Sequence, residues 1–147
     1  MIEVCVRQTF TSARDSVFAR ISDHERFLSG KQLRCTLSRF GTEQRNGCGA
    51  VREITAGMLQ FSELITAFAP PDHFEYQITA LRLAGVRMPF HHVLGRMQLT
   101  GRADATEVVW QSRFRMRVPL VGRLLERRLA KAVQASFRQI LARAAKD

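Results

Sequence analysis

Residues 121–141, VGRLLERRLAKAVQASFRQIL, decide the fold of this chain, because they form one long helical pattern after a run of strands. Apolar residues recur every three or four positions over about 20 residues, which is the spacing of one helix face. Basic residues occupy the opposite face. The stretch therefore predicts a long amphipathic helix whose apolar side, which includes Leu125, Leu129 and Val133, covers another layer of the protein.

Upstream of this helix, apolar and polar residues alternate in the manner of half-buried strands. The first such run, residues 2–10, is followed by two short helical patterns. Six further strand-like runs then follow one another, and Pro119 ends the last of them. Successive strands without crossover helices must be mostly antiparallel, since parallel neighbours need long connections. The order predicts an α+β fold: a curved seven-stranded antiparallel sheet, two short helices after strand one, and a long C-terminal helix.

Length and composition limit the number of domains and the class of protein. The 147 residues predict one domain spanning 1–147, with 46% hydrophobic and 24% charged residues, as in ordinary globular proteins. No uncharged apolar run approaches the roughly 18 residues of a membrane helix. The N-terminus alternates like a strand and does not resemble a signal peptide. We therefore expect no transmembrane segment and a cytoplasmic location.

The net charge of +10 raises the question of a polyanionic partner. The basic residues are scattered from Arg7 to Lys146 without a compact run, so the charge leaves nucleic acid or an anionic membrane open as a partner but does not favour it. The three cysteines are odd in number and lack CxxC spacing, which favours reduced thiols. We expect no metal and no cofactor. The pattern indicates nothing about the oligomeric state.

A carboxylate on an apolar strand face points to a functional cavity. In FSELITAFAPPDHFEYQI, residues 61–78, Glu63 shares its alternation face with Phe61 and Ile65. If Ala56-Gly57 is the hairpin turn, Arg52 lies opposite Phe61 and diagonal to Glu63. An unpaired buried charge costs several kcal/mol, so we expect the two charges to pair or to meet water and ligand.

The same alternation predicts which other side chains face inward. In the strand near residues 90–102 the inward set is His91, Val93, Met97 and Leu99, and in the last strand it includes Trp110 and Phe114. A mostly apolar cavity with a few convergent polar groups is typical of small-molecule sites. The predicted ligand contacts are Arg52, Phe61, Glu63, Tyr76, His91, Trp110, Phe114, Leu125, Leu129 and Val133.

Plainer interpretations of the same residues stay open. Arg52 and Glu63 would also be a structural ion pair, Tyr76 and Trp110 core aromatics, and His91 an ordinary hydrogen-bonded histidine. The segment RLAGVRMPF, residues 82–90, is apolar for a connection between strands. It is interpreted as a lid over the cavity or as a packed turn.

The ordered set of local features resembles the START/birch-pollen-allergen superfamily, known as SRPBCC, and its bacterial polyketide cyclase/dehydrase-like branch. The features are ARDSVFARISDHERF after strand one, the GCGAVREI stretch, SELITAFAPPDHFEYQI, and TEVVWQSRFRM before PLVGRLLERRL. The resemblance covers essentially the whole chain. It implies a helix-grip fold with a deep cavity between sheet and long helix that holds hydrophobic small molecules.

Three functions follow as hypotheses. The first is binding or transport of a lipid-, isoprenoid- or polyketide-like molecule. The second is a cyclase or dehydratase, in which Glu63 or His91 moves a proton next to a carbonyl and Arg52 or Tyr76 stabilises the enolate oxygen. The third is an interaction protein whose basic surface meets RNA, ribosomes or anionic lipid. No nucleophile elbow, phosphate-binding loop or dinucleotide fingerprint supports another enzyme class.

Overall fold

The computed structural model describes residues 1–146, with the side chain of Val93 excepted, so the predicted inward orientation of Val93 lies outside the described part. Residues 1–146 form eight strands and three helices. In chain order they are β1 (Ile2–Phe10), α1 (Arg14–Ile21), α2 (His24–Phe27), β2 (Arg34–Arg39), β3 (Val51–Ala56), β4 (Leu59–Ala69), β5 (His73–Leu83), β6 (Val86–Arg87), β7 (Phe90–Arg102), β8 (Ala105–Met116) and α3 (Gly122–Lys146).

The strands form one antiparallel sheet. Seven of them follow the order β1-β8-β7-β5-β4-β3-β2, and the two-residue β6 pairs with β5 outside that path. Bulges interrupt β2, β4, β5 and β7, and a bulge bends its strand and increases the local twist. The predicted α+β order with an antiparallel sheet and a long C-terminal helix is confirmed, with one strand more than the seven expected.

The extra strand, β6, lies in the segment of residues 82–90, which forms a hairpin with the end of β5. Leu83 pairs with Val86 and Arg82 with Arg87, so β5 turns back on itself as a hairpin. Ala84 and Gly85, with φ of 50° and 82°, are the two turn residues. Two-residue turns with positive φ at both positions match the twist of the strands that they join.

The sheet has two ends, which are named here by an exposed residue at each. Ile2, Leu59, Leu83, Phe90 and Met116 lie at the Met58 end, as the strand register requires. Phe10, Arg39, Ala69, His73 and Arg102 lie at the opposite, Phe40 end.

Helix α3 begins at the Met58 end, next to the end of β8, and its two halves differ in packing. In the C-terminal half Ile140 and Leu141 are buried. The last turns are also bound to α1 and α2, because Arg20 donates to the carbonyl of Ala144 and Arg143 to that of Phe27, both at 2.9 Å. In the N-terminal half the inward apolar side chains are only partly buried, whereas Glu126 is buried. Within residues 1–146 no helix is long and apolar enough to cross a membrane.

The predicted pairing of β3 with β4 is wrong by two residues. Arg52 lies directly opposite Glu63, and Ile54 lies opposite Phe61. The two-residue loop is Gly57-Met58 and not Ala56-Gly57, and Gly57 has φ of 62° at the first loop position, where type II′ hairpins favour glycine. A shift of two residues keeps every side chain on its predicted face, because the side-chain period of a strand is two.

The predicted inward orientation of His91 is also wrong. A bulge between His92 and Leu94 shifts the register of β7 against β8. On one side of it the alternation holds, and Met97 and Leu99 are buried as expected. On the other side it is reversed, so that His91 is exposed and His92 is buried.

Candidate functional site

A cavity of about 130 Å³ lies between the sheet and the middle of α3. Its walls are mainly apolar, with contributions from five strands and from the helix; examples are Ile54, Phe61, Ile78, Phe114, Leu129 and Val133. Five polar or charged side chains also line it, namely Arg52, Glu63, Tyr76, Ser112 and Ser136. A dry cavity of about 150 Å³ holds one benzene ring, whereas drug-sized ligands occupy about 300 Å³ or more. A larger ligand would therefore have to displace side chains of the wall.

The main charged feature of the wall is the ion pair between Arg52 and Glu63. Nε of Arg52 donates to Oε1 of Glu63 at 2.7 Å, and the residues are only 1% and 6% exposed. Burial raises the pKa of the Glu63 carboxyl above its ordinary value, and the Arg52 guanidinium acts in the opposite direction. This pairing satisfies two groups that would each be costly to bury alone.

His24 continues this polar chain away from the cavity. One of its ring nitrogens, Nε2, lies 2.9 Å from the carbonyl oxygen of Asn46, and the other, Nδ1, lies 3.0 Å from Nη1 of Arg52. A carbonyl oxygen only accepts and a guanidinium only donates, so the proton belongs on Nε2. Burial, assisted by the charge of Arg52, lowers the pKa of His24 to about 3, which keeps the ring neutral.

Tyr76 and Trp110 form the aromatic part of the wall. Nε1 of Trp110 donates to the Tyr76 hydroxyl at 2.8 Å, and the Arg52 guanidinium lies 4.5 Å from the centre of the Tyr76 ring. Burial raises the pKa of the Tyr76 hydroxyl, so it stays protonated. Trp110 in turn stacks on Phe137 of α3, with 3.7 Å between ring centroids and 8° between planes. This stack connects the aromatic wall to the helix above it.

His92 takes the buried place predicted for His91. Its Nδ1 accepts a hydrogen bond from the Ile78 amide at 2.9 Å, so Nε2 carries the proton and donates to Oγ of Ser112 at 3.0 Å. Burial is the main cause that lowers the pKa of His92 to about 4. The ring stacks on Tyr76 with centroids 5.5 Å apart and holds it from one side.

Eight of the ten predicted ligand contacts line the cavity. They are Arg52, Phe61, Glu63, Tyr76, Trp110, Phe114, Leu129 and Val133. His91 does not, because of the bulge. Leu125 does not either, because one turn before Leu129 the helix packs on the end of β8, where Glu126 accepts a hydrogen bond from the Met116 amide at 3.2 Å.

Two groups of the site were missed from the sequence. His24 lies in the short helix α2, and its contact with Arg52 joins residues 28 positions apart, which no local pattern reveals. His92 depends on the bulge. One signal was present: Gly95 interrupts the strand, and a strand glycine often marks a bulge or a close approach. A Cβ at Gly95 would overlap the Tyr76 ring.

The geometry limits what the site can do as a catalyst. Of the two candidate catalytic groups, Glu63 is bound to Arg52 and His91 is exposed outside the cavity. The arrangement suits the burial of an apolar molecule whose polar group reaches Ser112 or the ion pair.

Comparison with known families places this geometry in context. Residues 1–147 match the sequence model of the family described as polyketide cyclase/dehydrase and lipid transport. No protein with a curated description matches the chain significantly in sequence.

Several solved structures share the fold. The protein TTHA0849 from Thermus thermophilus is 16% identical with a TM-score of 0.74, over 99% of this chain and 95% of that one. A START superfamily protein from Mycobacterium smegmatis is 11% identical with a TM-score of 0.73, over 98% and 97%. DynU16, a putative protein in the dynemicin biosynthetic locus, is 19% identical with a TM-score of 0.62, over 98% of this chain and 46% of that one. At these identities the likeness shows the fold alone, and it confirms the helix-grip architecture.

Proposed function

This chain belongs to the polyketide cyclase/dehydrase and lipid transport family, and from that premise we propose that it binds and carries a hydrophobic small molecule in the cavity under α3. The observation that carries the proposal is the composition of the wall: apolar side chains surround one ion pair whose charges already satisfy each other. The ligand is of the lipid, isoprenoid or polyketide class.

Affinity would come from apolar burial. Removing ligand surface from water contributes about 25 cal/mol per Å², before the costs of association. Ser112 and the edge of the Arg52–Glu63 pair would orient a polar group on the ligand. The part of α3 that covers the cavity carries side chains that are only partly buried, such as Leu129, Val133 and Phe137, and this part of the wall would yield to a larger guest.

Native mass spectrometry of freshly purified protein tests the proposal. We expect a co-purifying hydrophobic molecule that organic extraction releases and identifies. Val133→Trp, which points bulk into the cavity, should remove the adduct, whereas Ala135→Trp on the exposed side of the same helix should keep it. Phe61→Trp fills the cavity from the sheet side and should also remove the adduct. That result would show that the adduct is lost because the cavity is filled and not because the helix is altered. The absence of any adduct, together with no heat of binding for oleic acid or a naphthoic acid, would refute the proposal.

A proton-transfer enzyme of the cyclase or dehydratase kind is the second candidate. One observation favours it: Glu63 lines the cavity, and burial raises its pKa toward the range of a useful acid or base. Against it stands the hydrogen bond from Arg52, which would have to break or be shared for the carboxylate to reach a substrate. Turnover of an aromatic polyketide analogue that is lost in Glu63→Gln but retained in His91→Asn would establish this second function.

A further inference from the structure

The exposed large hydrophobic side chains are concentrated at one end of the molecule. Of the eight within the described part of the chain, only Phe40 lies at the Phe40 end. The other seven lie at the Met58 end or around the start of α3: Met1, Met58, Leu83, Val86, Leu120, Val121 and Leu124. Met58, Val86 and Leu120 are the most exposed of them, at 69%, 65% and 106%.

Backbone contacts bring these side chains together. The amide of Ala84 donates to the carbonyl of Met58 at 2.9 Å, which joins the tips of the β3–β4 and β5–β6 hairpins. The amide of Arg117 donates to the carbonyl of Pro89 at 2.9 Å, which joins the segment before α3 to the start of β7. The two hairpin tips and the entry to α3 therefore form one rim.

Leu120 has an unfavourable backbone conformation, and its side chain is exposed to solvent. Its φ of 67° lies in the left-handed region, which a leucine rarely adopts, and the next amide, of Val121, donates to the carbonyl of Pro119 at 2.8 Å. The Leu120 side chain is fully exposed, so packing within this chain does not offset the unfavourable backbone conformation. Such outliers are concentrated at functional sites.

The same rim is strongly basic. Eight cations lie in the stretches 82–90 and 115–131, namely Arg82, Arg87, Arg115, Arg117, Arg123, Arg127, Arg128 and Lys131. In the residues that the structure describes, none of the eight forms a salt bridge. The one acid in these stretches, Glu126, is buried and faces the amino group of Met1 at 3.7 Å.

We propose that this rim is a docking surface for an anionic phospholipid bilayer. It consists of Met58, Leu83, Val86, Leu120, Val121, Leu124 and the eight cations. Exposed aliphatic side chains would enter the headgroup boundary while arginines bind lipid phosphates, as in other peripheral membrane surfaces. On α3, Arg127 and Arg128 follow Leu124 by three and four positions, so apolar and basic groups share one helix face.

Charge and composition favour the bilayer over other partners. A second copy docked through the same face would oppose two sets of eight cations without acids between them. RNA-binding surfaces commonly stack bases on exposed aromatic rings, whereas the large exposed side chains of this rim are aliphatic.

The rim adjoins the cavity but does not depend on its occupant. Ala56, Leu59 and Phe90 line the cavity and lie at the Met58 end, so docking would place the cavity beside the lipid. The inference goes beyond the proposed ligand binding. The cavity-filling variant Phe61→Trp should bind vesicles like the unmodified protein, so failure of one proposal is distinguishable from failure of the other.

Co-sedimentation of the full chain with vesicles tests the docking surface. We expect binding to phosphatidylcholine vesicles containing about one third phosphatidylglycerol, at least about tenfold stronger than to phosphatidylcholine alone, and weakened by high salt. Arg115→Gln with Arg117→Gln should weaken binding about tenfold, and Val86→Ser with Leu120→Ser by a similar factor.

Matched controls change the same residue types elsewhere. Phe40→Ser removes the exposed apolar side chain of the opposite end, and Arg102→Gln with Arg138→Gln removes two exposed charges outside the rim. Both should bind vesicles within about twofold of the unmodified protein. Equal weakening by the controls, or no preference for anionic vesicles, would overturn the proposal. So would self-association abolished by Leu120→Ser, which indicates a second copy, or RNA binding that displaces the vesicles and is unaffected by the apolar variants, which indicates nucleic acid.

Discussion

Arg52 and Glu63 face each other directly across β3 and β4, and the guanidinium Nε donates to the carboxylate at 2.7 Å. The pair sits in an otherwise apolar wall, so each charge depends on the other for its solvation. A carboxylate held in this way would have to leave Arg52 before it could accept a proton from a substrate.

Breaking the pair from one side should be costly. Arg52→Met or Glu63→Leu leaves a buried group without its partner and should lower the free energy of unfolding by about 3–5 kcal/mol. The double variant Arg52→Met/Glu63→Leu removes both charges and should lose at least about 2 kcal/mol less than the sum of the single changes. Denaturant unfolding of the four proteins provides the measurement, and strict additivity would show that the two residues act independently.

Acid should destabilise the protein through its two buried histidines. The pKa values of His24 and His92 are lowered from 6.5 to about 3 and about 4. Below pH 6.5 the unfolded chain binds protons that the folded protein does not, so stability is full above pH 6.5 and falls as the pH decreases toward the folded pKa values. Each histidine should contribute a loss of about 1.4 kcal/mol per pH unit, or about 2 kcal/mol each at pH 5.

The comparison of slopes isolates the histidine effect. His24→Asn and His92→Asn should each flatten the dependence of unfolding free energy on pH between 6.5 and 5, whatever their own cost at neutral pH. His91→Asn, beside His92 but exposed, should leave the slope unchanged. An unaltered slope in both buried variants would contradict the assignment of neutral, buried rings.

Gly95 should resist substitution because the Tyr76 ring lies against it. Gly95→Ala forces a methyl group into the ring and should destabilise the protein by about 1–3 kcal/mol. Gly101→Ala in the same strand is the control: the nearest atom to its added Cβ is 4.0 Å away, so this change should be neutral or stabilising by up to about 1 kcal/mol. Thermal unfolding should show a lower midpoint temperature for Gly95→Ala and an equal or higher one for Gly101→Ala. Equal effects of the two changes would mean that Tyr76 does not limit the space at Gly95.

Phe137→Ala should widen the cavity by removing the ring stacked on Trp110. Because Phe137 is only partly buried, we expect a loss of about 2 kcal/mol in stability. Calorimetric titration should show tighter binding of a polycyclic ligand by this variant than by the unmodified protein. Phe40→Ala, at an exposed site outside the cavity, should change neither quantity; a Phe137→Ala protein with unchanged ligand preference would count against the stack as the limiting contact.

The three thiols should differ in reactivity. Cys35 is buried, and burial raises the pKa of its thiol to about 12, whereas Cys5 and Cys48 are exposed. Since the thiolate is the reactive form, a disulfide reagent should modify two thiols in the native protein and three after denaturation. Fast modification of all three under native conditions would show that the contact of α2 with β2 opens readily.

Much of the site was predictable because side-chain alternation survives an even shift of register. The loop at Gly57-Met58 moved the pairing of Arg52 by two residues, yet Arg52, Phe61 and Glu63 kept their faces. The predicted face of β7 is wrong at His91 because a bulge inserts one extra residue into the strand. The alternation of apolar and polar residues before the bulge does not reveal that insertion.

Long-range partners were out of reach for a different reason. The contact between His24 and Arg52 is decided by how α2 packs on the sheet, and the departure of Leu125 from the cavity by the contact of Glu126 with Met116. Local patterns determine which face a residue occupies, whereas packing of separate elements determines what it meets there.

The hydrogen bond between Trp110 and Tyr76 has a practical consequence, because these are the only tryptophan and the only tyrosine of the chain. Intrinsic fluorescence of this protein therefore originates from a single indole in the wall of the cavity, with the only phenol as its energy donor at hydrogen-bonding distance. Guest entry, exchange and displacement should each change the emission of that indole, so the protein serves as its own label-free optical sensor.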